Sequence, residues 1–142
     1  MKLGVVGHEL AKFTPETEAA ARRAIEQAID CFEPDALVSG HCPLGGVDIF
    51  AEEIAAARGL DMIVHAPRVQ QWGGTGGYKW RNLKIARDSD LVLCVALREL
   101  PDSFNGMRFD GCYHCAGRNP PHVKGGGCWT AWKCRDRMWV MI

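Results

Sequence analysis

Five short apolar runs recur along this chain, with helical stretches between them. They occupy 2–7 (KLGVVG), 36–39 (ALVS), 61–65 (DMIVH), 90–96 (DLVLCVA) and 138–142 (MWVMI). None alternates apolar with polar residues, so each is expected to be buried on both faces, as in a parallel sheet covered by helices. Helical spacing fills the intervals. Thr14-Pro15-Glu16 starts one helix with a capping hydroxyl, a proline and an acid, and Ala21, Ile25, Ala28, Ile29 and Phe32 form its apolar stripe. Further helices are expected at 46–58, ended by Gly59, at 78–88 and at 127–137. Right-handed crossovers then give a three-layer, Rossmann-like α/β fold with a five-stranded parallel sheet in the order 3-2-1-4-5. A ligand crevice belongs at the carboxyl ends of the first and fourth strands, where the winding reverses.

The 142 residues suit one domain, 1–142, interrupted by a cysteine-rich insertion at about 98–124 where no periodicity survives. Four glycines within 70–77 indicate a mobile loop. Formal net charge is zero, which argues against a dedicated duplex-DNA binder but leaves open a local patch from Arg81, Lys84, Arg87 and Arg135. No apolar segment is long enough to span a bilayer or resembles an export signal, so a cytoplasmic location is expected, with no membrane partner. In that setting the seven cysteines imply reduced thiols or a metal site ahead of a disulfide framework.

Two glycine turns fall where a strand hands over to a helix. The first is Ser39-Gly40-His41-Cys42-Pro43-Leu44-Gly45-Gly46-Val47-Asp48; the second is Lys124-Gly125-Gly126-Gly127-Cys128-Trp129-Thr130. Such turns let a ligand approach main-chain amides, and the following helix adds free N–H groups and a positive dipole end that favour an anion. Gly45-Gly46 is either a phosphate or ribose cradle, with Asp48 turned to a ligand hydroxyl, or a tight turn whose Asp48 stabilises its own helix. Arg81-Asn82 opens a helix beside the glycine-rich loop; either its guanidinium takes phosphate oxygens and its amide a base or sugar, or it is an exposed helix start with solvated side chains. The first strand ends Gly7-His8-Glu9, without the dinucleotide fingerprint, and no redox cofactor is expected.

Cys112-Tyr113-His114-Cys115 supplies a C-x-x-C pair, the usual half of a tetrahedral thiolate site, and His122 and Cys128 are the candidates for the other half. A zinc held there would be structural, folding an otherwise shapeless segment. Free thiols or a C-x-x-C redox pair are the alternatives. Cys128 has three readings: a small packing residue, a metal ligand, or a nucleophile whose thiolate is favoured by a helix N-terminus. Trp129, Trp132 and Trp139 recur at helical spacing, which places them on one face for packing against the sheet or a partner subunit, with a homodimer as the simplest assembly. Base stacking by Trp129, Trp72, Tyr78 or Trp80 is the other use of these rings.

In order along the chain, Gly7-His8, Ser39-Gly40 with Gly45-Gly46-Val47-Asp48 and Ala51-Glu52, Arg81-Asn82 ahead of Ser89-Asp90, and Gly126-Gly127 with Thr130 resemble the SLOG superfamily. That group includes the DNA-processing Smf proteins and the Lonely Guy phosphoribohydrolases. The resemblance covers nearly all of the chain outside the cysteine segment. It implies a Rossmann-like domain that binds a nucleotide or nucleotide derivative through Gly7, His8, Ser39, Gly40, Gly45, Gly46, Asp48, Arg81, Asn82, Gly126, Gly127, Cys128 and Thr130. Lonely Guy enzymes carry a P-G-G-x-G-T turn followed closely by a catalytic glutamate. Here Gly125-Gly126-Gly127-Cys128-Trp129-Thr130-Ala131-Trp132 has none. The expectation is therefore sensing or carriage. The alternative is N-glycosidic cleavage of a nucleoside monophosphate, with Asp48 or Glu52 as the carboxylate. Single-stranded nucleic-acid binding through tryptophans and arginines is a third class.

Overall fold

In the computed structural model, which describes all 142 residues, strands and helices alternate: β1 (Lys2–Gly7), α1 (Pro15–Phe32), β2 (Ala36–Ser39), α2 (Val47–Arg58), β3 (Asp61–Val64), α3 (Tyr78–Asp88), β4 (Leu91–Ala96), α4 (Gly126–Lys133) and β5 (Arg137–Met141). Every strand pair is parallel and the order is β3-β2-β1-β4-β5, as the apolar runs require. Strand alternation sorts the core into two layers. Leu3, Val5, Leu37, Leu93 and Val95 face α1 and α2, where Ile25, Ile29, Phe50 and Ile54 meet them. Val6, Val38, Val92 and Cys94 face the other way, against Ile85 of α3 and Cys128 and Ala131 of α4.

Local chemistry sets the ends of these elements. The Thr17 N–H donates to Thr14 Oγ1 (3.1 Å) and the Thr14 N–H to Thr17 Oγ1 (2.8 Å), a reciprocal cap in front of Pro15. α2 stops at Gly59, which takes the left-handed conformation (φ 68°). The loop before α3 is tied by backbone bonds, with Tyr78 N–H donating to Gln71 O (2.8 Å) and Arg68 N–H to Gly76 O (2.7 Å).

α4 is shorter than its spacing suggests. Cys134 is already extended (φ −84°, ψ 149°), and the chain turns into β5 at Arg137. Trp139 is therefore a strand residue, and the three tryptophans do not share a helix face. A helix followed by a tight return reproduces the same three- and seven-residue spacing. The Trp132 and Trp139 rings pack at 4.8 Å, whereas Trp129 meets Trp72 at 5.1 Å. No helix is long and apolar enough to cross a membrane.

Between β4 and α4, residues 97–125 contain no helix or strand. Its first residues are tied to the sheet, Leu97 N–H donating to His8 Nε2 (3.1 Å) and Arg98 N–H to Ile142 O (2.7 Å), and its far end returns to them through Val123 N–H to Leu97 O (2.8 Å).

Candidate functional site

A cavity of about 770 Å³ opens beside the end of β1, at the carboxyl edge where the strand order reverses. Val6 and Gly7 form its floor. α2 contributes Asp48, α3 contributes Arg81 and Asn82, and α4 contributes Gly126, Gly127 and Thr130. Trp72, Tyr78 and Trp129 bring aromatic faces to it, and Glu9, Tyr113, His114 and Lys124 close the remaining side.

Arg81 is the most constrained of these residues. It is only 7% exposed. Its Nη1 donates to Gly40 O and stands 3.5 Å from Asp48 Oδ2, while its buried Nε has no partner in the protein. A side chain at Gly40 would collide with the guanidinium, so glycine there makes room for Arg81. Asp48 also accepts from the Cys42 N–H (3.0 Å). Burial pushes the Asp48 carboxyl up to about 6, and the pull of Arg81 does not restore it to the ordinary range. Asn82 is 6% exposed and lines the cavity, and no hydrogen bond to the protein engages its amide.

The first turn of α4 leaves the Gly126 and Gly127 N–H groups without helical partners. A Cβ on Gly127 would stand 2.9 Å from Gly7 N, so this turn sits directly on the end of β1. Thr130 Oγ1 donates back to Gly126 O (3.2 Å) and steadies it.

Other residues singled out in the sequence are engaged elsewhere. Gly45 and Gly46 do not line the cavity. Gly46 has φ 90° and lies against the His8 carbonyl, to which the Val47 N–H donates (3.0 Å), so the turn packs onto the end of β1. Ser39 Oγ donates to Asp48 O (3.3 Å) and Glu52 Oε2 (3.4 Å). Glu52 pairs with His41 Nδ1 (2.9 Å) and does not line the cavity, whereas Asp48 does, together with Glu9. His8 accepts from the Leu97 N–H at Nε2 (3.1 Å), so its proton sits on Nδ1, buried and unpartnered. Burial, reinforced by Lys12, His122 and Lys124, lowers its pKa to about 3, and the ring is neutral. It buttresses the α4 entry, since a Cβ on Gly125 would stand 2.7 Å from His8 Cε1.

The cysteine segment folds into a second centre beside the first. The ligand atoms of Cys112, Cys115, His122 and Cys128 all lie within 4.8 Å of one another, a Cys3His cluster able to hold a metal ion. His122 Nε2 is 3.5 Å from Cys115 Sγ and 3.4 Å from Cys128 Sγ. Its Nδ1–H donates to Pro120 O (2.6 Å), which fixes the tautomer and turns the Nε2 lone pair toward the sulfurs. Asn119 Nδ2 donates to Cys115 Sγ (3.3 Å) and Trp139 Nε1 to Cys128 Sγ (3.4 Å).

Cys128 is not a nucleophile favoured by a helix dipole. It is 1% exposed and faces Cys94, whose Sγ is 3.8 Å away; that thiol and burial together push the Cys128 thiol upward. Burial likewise raises Cys115 to about 11. A cation among these sulfurs reverses the balance and favours thiolates. Cys94, in the centre of β4, carried no sequence signal for this neighbourhood. Tyr113, His114 and Lys124 were equally hidden as cavity residues, because they lie in the aperiodic segment. No family model matches this chain, nor does any curated protein or solved structure.

Proposed function

We propose that the protein binds a nucleotide or nucleotide-derived ligand in the cavity at the end of β1, and that a structural zinc ion occupies the Cys3His cluster. The carrying observation is Arg81: a buried guanidinium with an unpartnered Nε, lining a cavity that also receives the first turn of α4. A phosphate there satisfies the guanidinium and the Gly126 and Gly127 N–H groups together. The free Asn82 amide suits a base edge or sugar hydroxyl, and Trp72, Tyr78 and Trp129 offer faces on which a base stacks. The ordered motifs that resemble the SLOG superfamily point the same way.

Zinc is the metal favoured by three thiolates and an imidazole. A sulfur and a nitrogen on a tetrahedral zinc stand about 3.5 Å apart, from bond lengths of about 2.3 Å and about 2.0 Å. The two sulfur-to-His122 distances, 3.5 and 3.4 Å, fit that edge.

Calorimetric titration of zinc-loaded protein with adenosine and guanosine 5′-monophosphate tests the ligand class. Saturable binding that Arg81→Lys weakens is expected; no heat with either nucleotide and no displacement of a co-purified ligand refutes the reading.

A second reading is favoured by one observation. Asp48, pushed up to about 6, is a carboxyl at the cavity that can hold and release a proton near neutral pH, as N-glycosidic cleavage requires. Release of free base from a nucleoside monophosphate, abolished by Asp48→Asn, supports it; intact nucleotide after prolonged incubation removes it.

A further inference from the structure

The cavity and the metal cluster are built from the same stretch of chain. Tyr113 and His114 are the two residues between Cys112 and Cys115, and both line the cavity. Lys124, Gly126 and Gly127 lie between His122 and Cys128, and they line it as well. Five of the 17 lining residues are thus spaced between consecutive ligands of the cluster.

Little else holds that wall in place. Residues 97–125 form no helix or strand; Leu97 and Arg98 are tied to His8 Nε2 (3.1 Å) and Ile142 O (2.7 Å) through their N–H groups and Val123 to Leu97 O (2.8 Å), but 99–122 make no backbone bond to the sheet. The side-chain hydrogen bonds of 99–122 are short-range, among them Arg118 to Cys115 O (2.9 Å) and His114 O (3.1 Å), and Arg108 to Pro101 O (2.8 Å) and Phe104 O (3.1 Å). A segment of this length without regular structure loses much conformational entropy on ordering. An ion joining Cys112 and Cys115 to His122 and Cys128 closes it into three short loops and fastens it to α4.

We propose that the metal ion builds the ligand cavity: it holds Tyr113, His114 and Lys124 as ligand-contacting residues, so that metal and ligand bind as one coupled unit. This rests on the nucleotide-binding reading above. Lys124 adds a second cation to the lining that holds Arg81, with its ammonium 4.9 Å from the Phe109 ring centre and 5.5 Å from that of Tyr113, and the Tyr113 and His114 rings lie 4.4 Å apart. The metal-built wall thus carries charge for the anionic end of a ligand and rings for its flat end. Coupling is reciprocal: ligand must tighten metal binding at equilibrium by the factor with which metal tightens ligand binding.

The test uses the whole chain, loaded with zinc or stripped by a chelator. Hydrogen exchange read without nucleotide is expected to rise in 112–127 on stripping, while β1, β4 and α1 stay protected. Unchanged exchange in 112–127 overturns the proposal. Adenosine and guanosine 5′-monophosphate are then titrated into both forms, and affinity is expected to fall by about tenfold or more on stripping, a coupling of ordinary size. Equal affinity in the two forms overturns it.

His114→Ala and Lys124→Ala keep all four metal ligands. Each should retain zinc by mass and lose affinity several-fold, and full affinity in both removes the contact role. Should neither nucleotide bind the loaded protein, the nucleotide reading fails, and the exchange data alone decide whether the ion builds the wall.

Discussion

The two glycine turns at the carboxyl edge look alike in sequence and differ in what fills them. At the α2 entry the glycines are packed against the chain itself: Gly46 lies on the His8 carbonyl, Ser39 bridges Asp48 and Glu52, and Glu52 is held by His41. At the α4 entry the turn is open on one side. Gly126 has nothing within 4 Å of where a side chain would begin, and Gly126 and Gly127 line the cavity with Arg81 and Asn82 across from them. Glycine serves close packing in the first case and leaves room for a ligand in the second. A glycine turn followed by a helix is thus a site only where the space in front of the turn stays open.

Breaking the metal cluster gives the largest effect and removes the open side altogether. Cys112→Ser or Cys128→Ser should abolish stoichiometric zinc and release the 97–125 segment to protease, as read by metal analysis and limited proteolysis. Next comes Gly46→Ala, which forces a side chain into the His8 carbonyl at φ 90° and should lower stability by about 2–4 kcal/mol in denaturant unfolding. Arg81→Lys sharpens the contrast at the open turn. It keeps a charge but loses the planar fork, and about tenfold or more in nucleotide affinity should go with it.

The acid limb of stability separates two buried groups. His8 has a folded pKa of about 3 against an ordinary 6.5, so the unfolded chain takes up a proton that the folded one refuses. Its contribution is present above 6.5 and is lost as pH falls toward 3. Asp48 runs the other way. Raised from 3.8 to about 6, it favours the folded state at low pH, and that contribution is lost as pH rises through 6. The two contributions offset each other between pH 4 and 6, so Asp48→Asn should steepen the rise of stability with pH in that window by unmasking the His8 limb, as urea unfolding across pH would show. The smallest effect is Gly126→Ala, for which stability should hold or rise by about 0.5–1 kcal/mol while nucleotide affinity drops. The opposite stability signs at Gly46 and Gly126 are the sharpest check of the comparison.

The sheet was legible because its strands are apolar on both faces and its connections are helical, and crossover handedness does the rest. Asp48, Arg81, Asn82, Gly126, Gly127 and Thr130 meet at the cavity because each sits in the first two turns of a helix. Cys112, Cys115, His122 and Cys128 converge although the second pair is six residues apart, since Pro120 O and the α4 entry orient His122 and Cys128 for them. The fate of Gly45-Gly46 was not legible, because it depends on how closely α2 approaches β1, a tertiary distance with no local signature. The engagement of Glu52 by His41 has the same origin. Tyr113, His114 and Lys124 were hidden because an aperiodic segment gives no face to read, and Trp139 because a helix and a return strand share its spacing.

The most direct test of the account is native mass spectrometry of freshly purified protein, first under gentle and then under denaturing conditions. The account predicts one zinc ion per chain and a bound nucleoside phosphate, retained gently and shed on denaturation. A chain that carries neither, and takes up neither when zinc and nucleoside monophosphates are supplied, contradicts it.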